Sequence, residues 1–118
     1  MEVYRAPDYL IVHLKRFSHQ RNVMFGSRKI NDLINFPVQG LDMSSYVRAG
    51  QGECVYDLYA VSNHFGSLNG GHYTAFAQNP YYKRWFNFDD TDVERVSESD
   101  VVTKAAYVLF YKKRTAAF

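Results

Sequence analysis

A histidine directly behind a run of glycines, with a pair of carboxylates downstream, is the combination in this sequence best suited to chemistry. Gly66, Gly70 and Gly71 fall within six residues, His72 follows at once, and Asp89 and Asp90 come next. Imidazole takes and returns a proton near neutral pH. It works best when a carboxylate accepts its second N–H and fixes the tautomer. His72 with Asp89 therefore supplies two of the three parts of a nucleophilic triad. Asp90 competes with Asp89 for the orienting place. The single cysteine, Cys54, precedes a strand in a Gly- and Glu-containing connector, with no helix N-terminus after it, and reads as a passive thiol. The bland alternatives are a histidine that merely belongs to a strand and a solvated turn at Asp89–Asp92. His64 and His72 flank the same loop, and two His with an Asp offer a zinc site. No third neutral ligand stands at a usual spacing, so neither a metal nor a cofactor is expected.

The elements that must position these groups read as strands. Apolar and polar residues interleave through Tyr56–Ser62, so strands are expected at about Val55–Asn63 and Gly71–Gln78, joined by the glycine loop. Three glycines so close together imply positive φ or close approach by another segment. Further strands are expected at Tyr9–Phe17, Lys29–Asn31, Arg84–Phe88, Val93–Val96 and Ala105–Tyr111. Leu41–Val47 fits one helical turn with Asp42 as N-cap, and Ser97–Asp100 fits the cap of a short helix reaching about Thr103. Ser18–Arg28 and Arg48–Glu53 read as connectors. Whether His72 and Asp89 reach the same side depends on strand register, which the sequence does not display.

Composition bounds the answer. The chain has 118 residues, enough for one small domain, and we expect residues 1–118 to form a single unit. Hydrophobic residues at 47% and aromatics at 17% exclude a disordered chain, and the abundance of Tyr and Phe favours sheet. A formal net charge of +2 is too small to argue for nucleic acid or a membrane surface. No apolar run approaches bilayer length. One cysteine permits no internal disulfide and suits the reducing cytoplasm or nucleus. The expected fold class is α+β: a mostly antiparallel β-sheet with one or two short helices.

Tyr56, Leu58, Ala60, Val61, His64, Gly66, Gly71, His72 and Tyr73 fit a long gapped pattern, Y-x-L-x-A-V-x-x-H-x-G-x-x-x-x-G-H-Y. Leu14-Lys15-Arg16-Phe17, Lys29-Ile30-Asn31 with Phe36-Pro37, Trp85–Asp90 and Ala106–Tyr111 fit further segments in the same order. Together they resemble the C-terminal, His-box half of the catalytic domain of ubiquitin-specific proteases. The resemblance implies the palm half of a papain-like cysteine protease that hydrolyses the bond after the C-terminal Gly-Gly of ubiquitin. In such an enzyme His72 deprotonates a cysteine thiol and later protonates the leaving lysine amine. Asp89 orients the imidazole, and Asp90 assists or replaces it. Phe65–Gly70 matches one of two loops that close over the ubiquitin tail, and Asn22–Arg28 lies where the other belongs. His64, Phe65, Gly66, Gly70, Gly71, Tyr73 and Phe17 are the implied tail-binding residues, with Gly71 and Tyr73 lining a channel only glycine can thread. The family's Cys-box and its zinc-binding CxxC pairs have no match here. The chain therefore reads as a portion that lacks the nucleophile, is inactive alone, and has the Cys-box half and the ubiquitin tail as partners. A non-catalytic ubiquitin-binding module is the alternative. A basic sheet for RNA rests on the Lys15–Lys29 charges alone, and no nucleic-acid partner is expected.

Overall fold

The computed structural model describes residues 6–18, 28–29, 32–47, 54–67 and 70–114, with the side chains of residues 17–18 and 28–29 excepted. Its elements are strands β1 (Tyr9–His13), β2 (Phe17–Ser18), β3 (Arg28–Lys29), β4 (Gln39–Asp42), β5 (Val55–Phe65), β6 (His72–Gln78), β7 (Trp85–Asp89), β8 (Asp92–Val96) and β9 (Ala106–Lys113), with 3-10 turns at Ser44–Tyr46 and Glu98–Val101. Seven strands form one antiparallel sheet in the order β1-β9-β5-β6-β7-β8, and β4 pairs with β5 beside that path. β2 and β3 form a separate two-stranded sheet. The chain is thus mostly antiparallel sheet with few helical residues.

β5 is the spine. It is the longest strand, and it pairs with β4, β6 and β9. Cross-strand partners share a face, so Val61 sets Phe76 on one side and Leu109 on the other in a single row. Leu58 adds Tyr111 to that face, and Trp85, Val101 and Ala106 complete the core. Two core tyrosines keep their hydroxyls satisfied by reaching out. Tyr56 donates to the Pro7 carbonyl at 2.6 Å, and Tyr111 donates to the Pro37 carbonyl at 2.8 Å. Burial pushes the Tyr111 phenol up to about 12, so it serves as a neutral donor.

Several expected boundaries are corrected. The first strand stops at His13 rather than Phe17, which pairs with Lys29 in the separate β2–β3 sheet. Arg16 keeps the inward parity of Leu10, Val12 and Leu14: its side chain is buried, and its Nε donates to the Ala106 carbonyl at 2.9 Å. A strand, β4, stands where only a helical turn was expected. It hides in the sequence because Gly40, at φ +80°, interrupts the register between Gln39 and Leu41. The helical turn shrinks to Ser44–Tyr46 with Met43 at the N-cap. Asp42 still accepts the Ser44 N–H at 2.9 Å. The short strand expected at Lys29–Asn31 is Arg28–Lys29, and residues 30 and 31 lie outside the described residues. At Ser97–Asp100 the expected cap is present. Asp100 Oδ2 accepts the Ser97 N–H at 3.0 Å, above a 3-10 turn that ends at Val101.

Candidate functional site

Register decides the site. The β6–β7 ladder runs from Gln78–Trp85 to Ala75–Phe88. One further step sets Thr74 across from Asp89, and His72 lies two residues beyond Thr74 on the same face. That is the diagonal relation in which long side chains on neighbouring strands meet. They do meet: His72 Nε2 and Asp89 Oδ1 are 2.6 Å apart. An ionised carboxylate only accepts, so Nε2 carries the proton and Nδ1 is the nitrogen left to exchange one. Both side chains are about half exposed.

Asp90 stands in the two-residue turn between β7 and β8, at φ +52°. That conformation is tolerated by Asp better than by most residues. One ligand atom each from His72, Asp89 and Asp90 lies within 4.8 Å of the others, an arrangement that fits a metal ion and equally a plain cluster of charges. The hydrogen bond to Asp89 raises the His72 pKa, desolvation opposes it, and the smaller fields of Asp89 and Asp90 add to the rise. The cluster therefore favours an imidazolium.

The glycine loop meets its expectation in two different ways. Gly66 has φ +88°, a conformation glycine adopts without steric cost. Gly71 is required by close approach. A Cβ there would stand 2.7 Å from Cε1 and 2.9 Å from Cδ2 of the buried His64 ring, and closer still to Nε2. Gly70 has no such demand. Residues 68 and 69 of the loop lie outside the described residues.

His64 pairs with Tyr73, whereas Phe65 pairs with His72. The two histidines therefore sit on opposite faces of the hairpin, and the zinc site they were offered for does not form. On the His64 face, Tyr73 lies edge-on at 4.8 Å between ring centroids, and Tyr107 stands 5.9 Å from His64. Tyr107 was not singled out from the sequence. Its place opposite this hairpin follows from the β5–β9 register, which no sequence pattern displays. Of the implied tail-binding residues, Phe65 shares the His72 face, His64 and Tyr73 share the other, and Gly66, Gly70 and Gly71 lie at the end of the sheet between them. The side chain of Phe17 and the Asn22–Ser27 stretch lie outside the described residues. Cys54 is fully buried at the far end of β5 from His72.

The family model for ubiquitin carboxyl-terminal hydrolase matches residues 1–111. The chain belongs to the ubiquitin carboxyl-terminal hydrolase family. Ubiquitin carboxyl-terminal hydrolase 15 of Homo sapiens is 46% identical over 115 residues, which is 97% of this chain and 11% of that protein. Ubiquitin carboxyl-terminal hydrolase 10 of Arabidopsis thaliana is 46% identical over 114 residues, 96% of this chain and 12% of that one. Among solved structures, the SAGA DUB module of Ubp8, Sgf11, Sus1 and Sgf73 bound to monoubiquitin aligns with TM-score 0.85 at 35% identity, over 98% of this chain and 25% of that one. The same module bound to ubiquitin aldehyde aligns with TM-score 0.85 at 32% identity. This chain of the hydrolase family thus spans about an eighth of the length of those curated relatives and about a quarter of the solved chains.

Proposed function

We propose that this chain supplies the general base and its orienting carboxylate to a thiol-dependent deubiquitinase, acting as the palm half of a papain-like site. The reaction is hydrolysis of the peptide or isopeptide bond after the C-terminal Gly-Gly of ubiquitin. The observation that carries the reading is the 2.6 Å contact between His72 Nε2 and Asp89 Oδ1, which leaves Nδ1 for a thiol. In this reading Nδ1 takes the proton of a cysteine thiol, and the thiolate attacks the carbonyl of the last glycine. The imidazolium, held by Asp89 and the field of Asp90, then protonates the departing lysine amine. A water deprotonated by His72 cleaves the thioester and restores the thiol. The tail would enter past Gly70 and Gly71 with Phe65, Gly66, His64, Tyr73 and Phe17 about it, and its lack of side chains matches a passage with no room for them.

The nucleophile is proposed to come from outside these 118 residues. Cys54 is unsuited to the role on distance alone. Eleven strand residues separate it from the His72 end of the hairpin, roughly 35 Å at the rise of an extended chain. The thiolate provides the bond-forming step, so the chain alone should not turn over. A module that only binds ubiquitin has no need of a hydrogen-bonded His–Asp pair, which favours the catalytic reading. The test is hydrolysis of a ubiquitin–fluorophore conjugate. No turnover is expected from this chain, and turnover is expected when it is mixed with a Cys-box half from a relative. Substituting His72→Ala should abolish the restored activity, and Cys54→Ala should leave it unchanged. Hydrolysis by the chain alone that survives Cys54→Ala would overturn the reading.

A further inference from the structure

The end of the sheet away from His72 carries a second feature. β6 begins at His72 and ends at Gln78, about 20 Å on by strand rise. Beside Gln78 opens a groove of about 640 Å³ lined by Tyr9, Tyr59, Lys83, Lys112, Lys113 and Arg114, with Asp57 at its wall. Lys113 is the partner of the buried Tyr56 and lies on the other face, so three cations, Lys83, Lys112 and Arg114, face one anion there, an excess of two in a chain whose formal net charge is +2. The anion is already engaged. Arg114 donates from Nε to Oδ2 and from Nη2 to Oδ1 of Asp57, each at 2.8 Å, and the Gly40 N–H adds a bond at 3.0 Å. Lys83 and Lys112 make no ion pair among the described residues.

The groove is also furnished with aromatic surface. Tyr9 and Tyr59 meet edge to face at 6.1 Å, and Lys112 Nζ lies 6.0 Å above the Tyr9 ring. Lys83 is fixed by its backbone. It sits at φ +57° in a tight turn where its N–H donates to the Asn79 carbonyl at 2.8 Å.

Spacing selects the occupant. Lys112 is on β9 and Lys83 follows β6, with β5 between them, so the cations span about 10 Å across the strands. One phosphate cannot bridge that width. An extended peptide places side chains of one side roughly 7 Å apart and can present successive carboxylates to both. At the other end of the sheet Asp89, Asp90, Asp92 and Glu94 repel such a segment, so the charge asymmetry steers it here. We propose that this groove docks an extended acidic peptide segment of a partner protein, apart from the His72 site.

The probe is a fluorescein-labelled peptide alternating Glu and Ala, titrated with the full chain and followed by fluorescence anisotropy. Saturable binding that weakens as salt is raised is expected, with no binding of the matching Lys–Ala peptide. Combining Lys83→Glu with Lys112→Glu should lower affinity at least about tenfold, and Lys83→Arg with Lys112→Arg should retain it. Both positions are exposed, and an unchanged circular-dichroism melt will establish that the Glu variant folds. In NMR the peptide should shift Tyr9 and Tyr59 and leave His72 in place. The proposal is overturned by unaltered binding to the Glu variant, by shifts confined to His72, by displacement with inorganic phosphate alone, or by a single-stranded oligonucleotide outcompeting the peptide.

Discussion

Two carboxylates stand near the His72 ring, and they act on it differently. Asp89 accepts a hydrogen bond from Nε2 at 2.6 Å, whereas Asp90 acts through its field. Substituting Asp89→Asn should therefore lower the His72 pKa toward its ordinary 6.5, and Asp90→Asn should lower it less. A proton NMR titration of the imidazole resonances measures both, and the reverse order would assign the orienting role to Asp90. The sign for stability follows. The folded value lies above the unfolded one, so the pair's contribution is complete below pH 6.5 and is lost as pH rises through the folded value. A second residue-scale prediction contrasts two neighbouring glycines. Substituting Gly71→Ala drives a methyl into the buried His64 ring and should cost about 2 kcal/mol. Substituting Gly70→Ala meets only ordinary contact, 3.8 Å from Ser67 Oγ, and should be near neutral in urea unfolding. Equal losses at the two positions would remove the packing role given to His64.

At the scale of elements, what was legible depended on whether a strand kept its alternation. The hairpin of β5 and β6 shows in the sequence because interleaved apolar and polar residues flank the glycine loop, although β5 carries two irregularities against β9 and runs two residues beyond the expected Asn63. β4 does not show, because the irregularity at Gly40 hides its pairing with β5. The end of β1 is hidden because the inward alternation runs on through Leu14 to Arg16, while Phe17 leaves to pair with Lys29. The candidate His–Asp pair was legible as residue types, but its geometry was not. A one-residue slip of β7 on β6 would have sent Asp89 to the other face, and long-range pairing alone sets that register. The same reasoning gives Arg16 a measurable part. Its guanidinium joins the start of β9, at the Ala106 carbonyl, to the carbonyl of Asp32 on the approach to β4. Lysine cannot donate in both directions with that fork. Substituting Arg16→Lys should cost about 2 kcal/mol in denaturant unfolding, and a loss no greater than that of an exposed Lys→Ala control would refute the bridging role.

At the scale of the molecule, the sheet is incompletely covered by the described residues. Its radius of gyration is 16.5 Å, against roughly 13.5 Å for a compact domain of this length, and its thinnest dimension is 18 Å. That thickness accommodates the sheet and little more than one packed layer. Among the described residues β1, β4 and β8 each have a single partner, and the two ends of the main path, β8 and β1, differ in chemistry. β8 reads DVERV and presents three charged side chains, which discourages pairing. β1 reads YLIVH, and its Tyr9 and Ile11 are 58% and 63% exposed. An apolar, β-branched edge is a template for another strand. The chain alone should therefore associate, and sedimentation should report masses above 13.7 kDa as concentration rises. Placing a charge at the centre of that edge with Ile11→Lys should return it toward the monomer. Because Ile11 is exposed, the thermal stability should change by no more than about 0.5 kcal/mol. That separates an edge effect from unfolding: a variant that still associates, or a parent chain that sediments and melts as a monomer at every concentration, would show that β1 is covered from within the chain itself.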